Sequence, residues 1–279
     1  MKRIVQLLVL ASGISLGLTW ANSSIATPVE TEIEETGILK VGVRDDSPLF
    51  GFGSPSEGYC TDFANALAVS LTEKFGKPVT TEFVTSTTQN RWELVTGGQV
   101  HLECGPNTIT AERETEEQIK FSLPFFVTAT QIFAQGGITE EDMKTATIGT
   151  IAGTTNAQEM AMVYPESQIN DTFTTRIEGI EAVQAGEITG FASDGILLIG
   201  SATIMQVDPD NFVVATPLVN DRPFCAAYGM ILPGDDDNAV WRETVNQFIA
   251  QSGQGAEVWD MWFEPLTPYI DKTLAECNM

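Results

Sequence analysis

An α/β protein built as two successive series is the fold class this sequence predicts. Three observations predict it. Short apolar runs alternate with amphipathic segments along most of the 279 residues, the signature of layered strands and helices. The alternation occurs twice, in series of similar make-up that part at Gly136-Gly137. In each series, polar residues gather where a strand stops and a helix begins, the place where open α/β sheets collect ligands.

The elements follow in order. Residues 1–26 have the form of a signal peptide: Met1-Lys2-Arg3 is a basic head, and residues 4–18 are an apolar run too short to span a bilayer with confidence. Small residues near Ala21 and Ala26 offer cleavage points. Residues 27–36 are polar and acidic and read as a flexible lead-in. Residues 38–44 read as a first strand, and 45–58 as a loop punctuated by Pro48, Gly51, Gly53, Pro55 and Gly58. Residues 62–75 carry helical spacing closed by Gly76 and Pro78. A strand at 79–84 leads to a helix that starts near Thr88-Gln89-Asn90-Arg91 and stops at Gly97-Gly98. A strand at 99–104, the Gly105-Pro106-Asn107 break and a helix capped by Thr110 come next. Residues 121–134 are apolar and extended, with Pro124 inside.

The second series begins with a strand at 147–151, the turn Ala152-Gly153-Thr154-Thr155 and a helix from Asn156 to about Tyr164. A helix at 179–185, a strand at 190–194 running into a helix to about Ala202, and strands at 212–217 and 226–232 follow. Residues 237–251 and 254–263 close the chain with aromatic-faced helices.

Composition narrows the function. With 43% hydrophobic residues the chain can pack cores and is not disordered. A formal net charge of −24 would repel phosphate backbones, so nucleic acid and anionic membrane surfaces are not expected partners. No later segment is apolar enough to cross a bilayer, so the mature chain is expected to be exported and soluble, without membrane insertion. Cys60, Cys104, Cys225 and Cys277 allow three disulfide pairings. Pairing sequence neighbours would close loops of about 45 to 50 residues, each contributing roughly 4 kcal/mol by chain entropy. His101 is the sole histidine and no Cys-x-x-Cys occurs, so neither a zinc site nor another cofactor is expected.

Three strand-to-helix junctions carry the polar chemistry: Asn107-Thr108 with Arg113, Gly153-Thr154-Thr155, and Ser193-Asp194. A strand that feeds a helix start aims backbone N–H groups at one point and favours an anion there. Arg113 adds a forked donor that matches a carboxylate. Asp194 either caps its helix or accepts from an ammonium group. The glycine turn lacks the lysine and glycine spacing of a phosphate loop.

On these pieces the chain resembles the periplasmic solute-binding proteins that serve ATP-driven amino-acid importers, most of all the glutamate/aspartate-binding branch. The matching stretches are 37–44, Gly58-Tyr59-Cys60-Thr61-Asp62, Gln89-Asn90-Arg91, 104–113, Ala152-Gly153-Thr154-Thr155, Phe191-Ala192-Ser193-Asp194 and 258–263. The resemblance implies the two-lobed type II periplasmic binding protein fold with two hinge-crossing strands. Lobe one would comprise 37–129 plus 233–279, and lobe two 130–232. It implies a monomer in the periplasm that binds a small-molecule amino acid and docks on an inner-membrane ABC permease, without catalysis. It also implies roles. Arg113 would grip the α-carboxylate with Thr108 and the backbone near Asn107, and Asp194 would pair the α-ammonium. Thr154 and Thr155 would bind from lobe two. Arg44 and Arg91, with Thr88, would take a side-chain carboxylate, and Arg176 would add a polar or basic contact. Pro106-Asn107 departs from the small or hydroxylated pair of the branch, and the paired cysteines are not general in the family.

The alternatives have their own marks. If Arg91 is neutralised by Glu93 or Glu103, a neutral ligand such as glutamine or asparagine is favoured. A dehydratase-type enzyme on the same fold would need a general acid in the cleft, and Asp45 and Glu57 have no evident partner. A sensing module would continue into membrane or signalling segments.

Overall fold

A computed structural model describes residues 27–208 and 212–278. The expected signal peptide, residues 1–26, lies outside the described residues.

Residues 27–36 do not form a loose lead-in. Val29–Thr36 is a helix, α1, ended by Gly37 in the left-handed conformation at φ 71°. Val29 and Ile33 sit four residues apart and are both buried, which seats α1 on the core. Its acids are used as well. Glu32 pairs with Lys40 at 2.9 Å and Glu30 with Lys74 at 2.7 Å. Two apolar residues in register are enough to dock a short helix that composition alone assigns to solvent.

The first sheet has the order β4-β1-β5-β15-β6. β1 (Ile38–Arg44) is central and runs parallel to both β4 (Thr80–Ser86) and β5 (Leu102–Cys104). Between β1 and β4 the chain makes a small hairpin, β2 (Asp46–Ser47) with β3 (Gly51–Phe52), inside the stretch read as loop, and then α2 (Tyr59–Phe75). α3 (Arg91–Thr96) joins β4 to β5, and α4 (Ala111–Glu116) joins β5 to β6 (Ile119–Phe121). The extended run read at 121–134 is in fact interrupted near Pro124, because proline removes a ladder donor. Its second part is β7 (Phe126–Gln135).

β7 belongs to the second sheet, of order β11-β7-β10-β8-β9. That sheet is built with α5 (Glu140–Met143), β8 (Thr147–Ile151), α6 (Asn156–Val163), β9 (Gln168–Phe173), α7 (Arg176–Gln184), β10 (Gly190–Asp194), α8 (Gly195–Ile204) and β11 (Phe212–Ala215). A β12–β13 hairpin (Leu218–Val219, Arg222–Pro223) precedes β14 (Cys225–Tyr228). The first half of β7 pairs antiparallel with β14, and its second half with β10 and β11. β7 and β14 therefore run side by side between the two sheets. The run read as one strand at 226–232 splits at Gly229-Met230: β14 stays on β7, and β15 (Ile231–Pro233) turns onto β5 and β6. α9 (Ala239–Gln251), α10 (Gly253–Phe263) and α11 (Thr267–Cys277) complete the chain.

The first lobe's core is aromatic: the Phe50 ring meets those of Phe125, Phe126, Tyr228 and Phe263 within 6.2 Å. The second lobe is filled on either side of its sheet, by Ile180, Val183 and Phe191 on one face and by Ile148, Met160 and Ala192 on the other. Of the three possible disulfide pairings the sequence neighbours prevail. Cys60–Cys104 ties α2 to β5, and Cys225–Cys277 ties β14 to α11. Tyr269 on α11 also meets Thr128 on β7, oxygen to oxygen at 2.9 Å.

Candidate functional site

The parallel strands of each sheet end facing the other lobe, and the polar junctions sit at those ends. On lobe one, β1 finishes at Arg44, which is only 1% exposed. Its Nη2 donates to Thr88 Oγ1 and to Asp46 Oδ2, both at 2.9 Å. β4 leads into a turn in which Thr87 and Asn90 exchange hydrogen bonds, so that α3 opens with Arg91 buried. The Arg91 guanidinium lies 4.3 Å from the Trp92 ring centre and donates through Nη2 to the Gly153 carbonyl at 3.2 Å. Glu93 and Glu103 are not its hydrogen-bond partners. Beyond β5, the Thr110 hydroxyl caps α4 by accepting from the Arg113 N–H at 3.1 Å. Arg113 then folds back, donating to the Thr108 carbonyl at 2.8 Å and to the Gly153 carbonyl at 3.3 Å.

Glu103 sits beneath these cations with no exposure. It accepts from Ser86 Oγ and Asn107 Nδ2, each at 2.6 Å. Asn107 is thus a brace for Glu103. Its N–H donates to the Gly105 carbonyl, and its own carbonyl accepts from the Gly229 N–H. The sequence reading of Asn107 as a source of backbone donors for an α-carboxylate differs from this placement, because the short turn after Gly105 consumes its N–H internally.

On lobe two, Gly153 follows β8 with φ 78°, a conformation glycine adopts without penalty, which turns its carbonyl toward both arginines. The Thr154 hydroxyl donates to the Ile151 carbonyl at 2.7 Å, and Thr155 precedes α6 without capping it through its side chain. Asp194 ends β10 and stands at the start of α8, yet its carboxylate does not cap that helix. Instead it accepts from Asn156 Nδ2 at 3.2 Å and from the hydroxyl of the fully buried Tyr228. Arg176, the first residue of α7, is 4% exposed and donates through Nε to Ser193 Oγ at 3.0 Å. Glu159, one turn into α6, accepts from Thr130 Oγ1 and shares Asn156 Nδ2 with Asp194.

The electrostatics are those of crowded cations in a dry place. Burial, then the neighbouring Arg113 and Arg44, pulls Arg91 down to about 9, still cationic at neutral pH. Burial lowers Arg113 too, opposed by Asp194 and Glu159. It also lowers Arg176, opposed first by Asp46. Burial raises the Glu103 carboxyl against the pull of Arg44. Glu159 is raised by burial, with its neighbour Asp194 adding to the effect. For Asp46, burial pushes upward but Arg44 and Arg176 together hold the carboxyl below its ordinary value. Tyr228 is pushed well up by burial and by Asp194, which keeps its proton available for donation. Buried N–H groups remain without a partner at Arg44 Nε, Arg91 Nε and Arg176 Nη1.

The structure therefore brings Arg44, Thr88, Arg91, Arg113, Gly153 and its following threonines, Arg176 and Asp194 to one interlobe region. Sequence reasoning missed Asp46, Trp92, Asn156, Glu159 and Tyr228. Trp92 was legible as an aromatic next to an arginine, a pairing that stabilises a desolvated cation. The others become visible only once the fold shows their partners: Arg44 for Asp46, Thr130 for Glu159, and Asp194 for Asn156 and Tyr228.

Comparison with known proteins bears on the family and the fold. Residues 39–265 match the model for bacterial extracellular solute-binding proteins, family 3. The chain is 27% identical, over 93% of its length and 88% of the relative's, to the glutamate/aspartate import solute-binding protein of Escherichia coli (strain K12). It is 28% identical to the glutamine-binding protein of Geobacillus stearothermophilus, over 75% of this chain and 79% of that one. Among solved structures, the solute receptor for L-cysteine of Neisseria gonorrhoeae superposes with a TM-score of 0.70 at 25% identity, covering 86% of this chain and 95% of that chain. These relatives are named as binding proteins or receptors, and the fold is that of type II periplasmic amino-acid-binding proteins. The chain belongs to the bacterial extracellular solute-binding proteins, family 3.

Proposed function

We propose that this protein captures a polar L-amino acid, preferring an acidic side chain, between its two lobes in the periplasm and delivers it to an ABC permease. One observation carries the preference: buried guanidinium N–H groups on Arg44, Arg91 and Arg176 have no acceptor, in a region where Arg113, Arg44 and Arg176 all crowd the Arg91 charge. An unpaired buried donor costs about 1–3 kcal/mol, more when charged. A ligand with two carboxylates supplies the missing acceptors through charge-assisted pairs. In this reading Arg113 holds the α-carboxylate, Asp194 the α-ammonium, and Arg91 with Arg44 and Thr88 the side-chain acid. Thr154, Thr155 and Arg176 close from lobe two. The ligand touches both lobes and so favours the closed form, which the permease recognises. The likeness to glutamate/aspartate carriers supports the same ligand class.

Glutamine is the second reading. It is favoured by the ion pair of Arg44 with Asp46, which already satisfies part of the cationic wall. Titration calorimetry on ligand-stripped protein with glutamate, aspartate, glutamine, asparagine and arginine decides between them. Binding of glutamate or aspartate at least tenfold tighter than glutamine supports the acidic reading. Tight glutamine binding with neither acid bound overturns it.

A further inference from the structure

We propose that Asp46 is a specificity-determining residue of the cleft, a resident carboxylate that already occupies the Arg44 guanidinium and thereby limits how strongly a ligand's second acid group is preferred. This rests on the amino-acid-binding reading above. Asp46 lies on the β2–β3 hairpin, where the sequence showed only a loop. Its Oδ2 accepts from Arg44 Nη2 at 2.9 Å, its Oδ1 from Ser47 Oγ at 2.9 Å, and its side chain is 19% exposed. The hairpin is also where lobe one touches α8 of lobe two: a Cβ placed on Gly200 would stand 3.0 Å from the Pro48 ring. Arg176 reaches this boundary from lobe two, with Nε on Ser193 and Nη1 buried and unpartnered. Asp46 is the acid that acts most strongly on Arg176, and Arg176 is second only to Arg44 among the cations acting on Asp46.

The consequence is a divided set of cations. Arg44 Nη2 is already shared between Asp46 and Thr88, so a ligand carboxylate reaching Arg44 competes with an acid that is covalently present. Arg91 donates to a peptide oxygen instead, and a neutral acceptor yields more readily to an incoming anion than a charged one does. Asp46 therefore lowers the gain that an acidic side chain obtains over its amide counterpart. Neutralising Asp46 frees Arg44 and sharpens that discrimination.

The test is calorimetric titration of wild-type protein and Asp46→Asn with L-glutamate and L-glutamine. The ratio of the glutamine Kd to the glutamate Kd is expected to rise at least tenfold in Asp46→Asn, mainly through tighter glutamate binding. A ratio within twofold of wild type, or one moved toward glutamine, overturns the assignment while the amino-acid-binding reading stands. Wild-type protein that binds none of glutamate, aspartate, glutamine, asparagine and arginine overturns both, and one that binds aspartate and asparagine instead is tested with that acid–amide pair under the same criteria. Asp46→Ser, which keeps an acceptor for Arg44 but no charge, gives the same expected rise and the same refutation should the asparagine variant fail to fold.

Discussion

The two walls of the cleft are built from opposite materials. Lobe one contributes Arg44, held by Thr88 and Asp46, Arg91, stacked on Trp92, and Arg113, held by the Thr108 carbonyl, over an aromatic core stapled by Cys60–Cys104. Lobe two contributes Asp194 and Glu159, held by Asn156, Thr130 and Tyr228, with Arg176 as its lone cation among the residues described at the site. A zwitterion has its charges separated in just this sense. The difference teaches that, on the proposed reading, neither lobe alone would be a complete receptor: one wall is short of acceptors, and the other gathers carboxylates that repel each other.

The comparison breaks most sharply at Asp194. Replacing Asp194 with Asn retains the shape and removes the charge, so affinity for every α-amino acid is expected to fall at least 100-fold, about 3 kcal/mol. Titration calorimetry showing undiminished affinity would remove lobe two's acid from the site. On the facing wall, Arg91→Ala is expected to weaken glutamate by about 2 kcal/mol or more and glutamine by less than 1 kcal/mol. Equal losses for the two ligands, measured side by side, would deny Arg91 a role in selecting the side chain.

The smallest effect concerns the carboxylate pair itself. Glu159 has a folded-state value above its ordinary 4.5, so the folded form binds the proton more tightly than the unfolded chain. That stabilisation is fully present below about 4.5 and is lost as pH rises through the raised folded value. Glu159→Gln is therefore expected to flatten part of the decline in Tm above pH 4.5, the remainder belonging to Glu103, which is raised in the same direction. A melting series in which the variant keeps the full wild-type slope would show that Glu159 does not carry it.

Much of the fold was legible, and the reasons are specific. β1 was read at its true bounds because apolar alternation runs between Gly37 and an acidic break at Asp45. β8 and β10 were read at theirs for the same kind of reason. The misses are elements whose buried face is thin. α1 shows only Val29 and Ile33 to the core, and α11 buries only Ile270 and Thr273. β9 buries none of its residues fully, and its two apolar residues, Ile169 and Phe173, stand four apart with polar residues between them, so no strand periodicity marks it. At the site, junction residues were found because a strand end and a helix start are local features. Tyr228 and Asn156, both hydrogen-bonded to Asp194, depend on segments more than thirty residues apart meeting in space, and no spacing rule encodes such a meeting.

The shared Gly153 oxygen has a consequence for how the molecule idles. Two positively charged forks lean on one uncharged peptide atom, at 3.2 and 3.3 Å, both long for bonds of that kind. If the two lobes close as proposed, such a grip would give way to an arriving carboxylate, because a neutral acceptor holds a guanidinium less firmly than a charged one. A change at this turn that swung the carbonyl aside would leave the chemistry of the pocket in place and alter instead how often the empty jaw gapes.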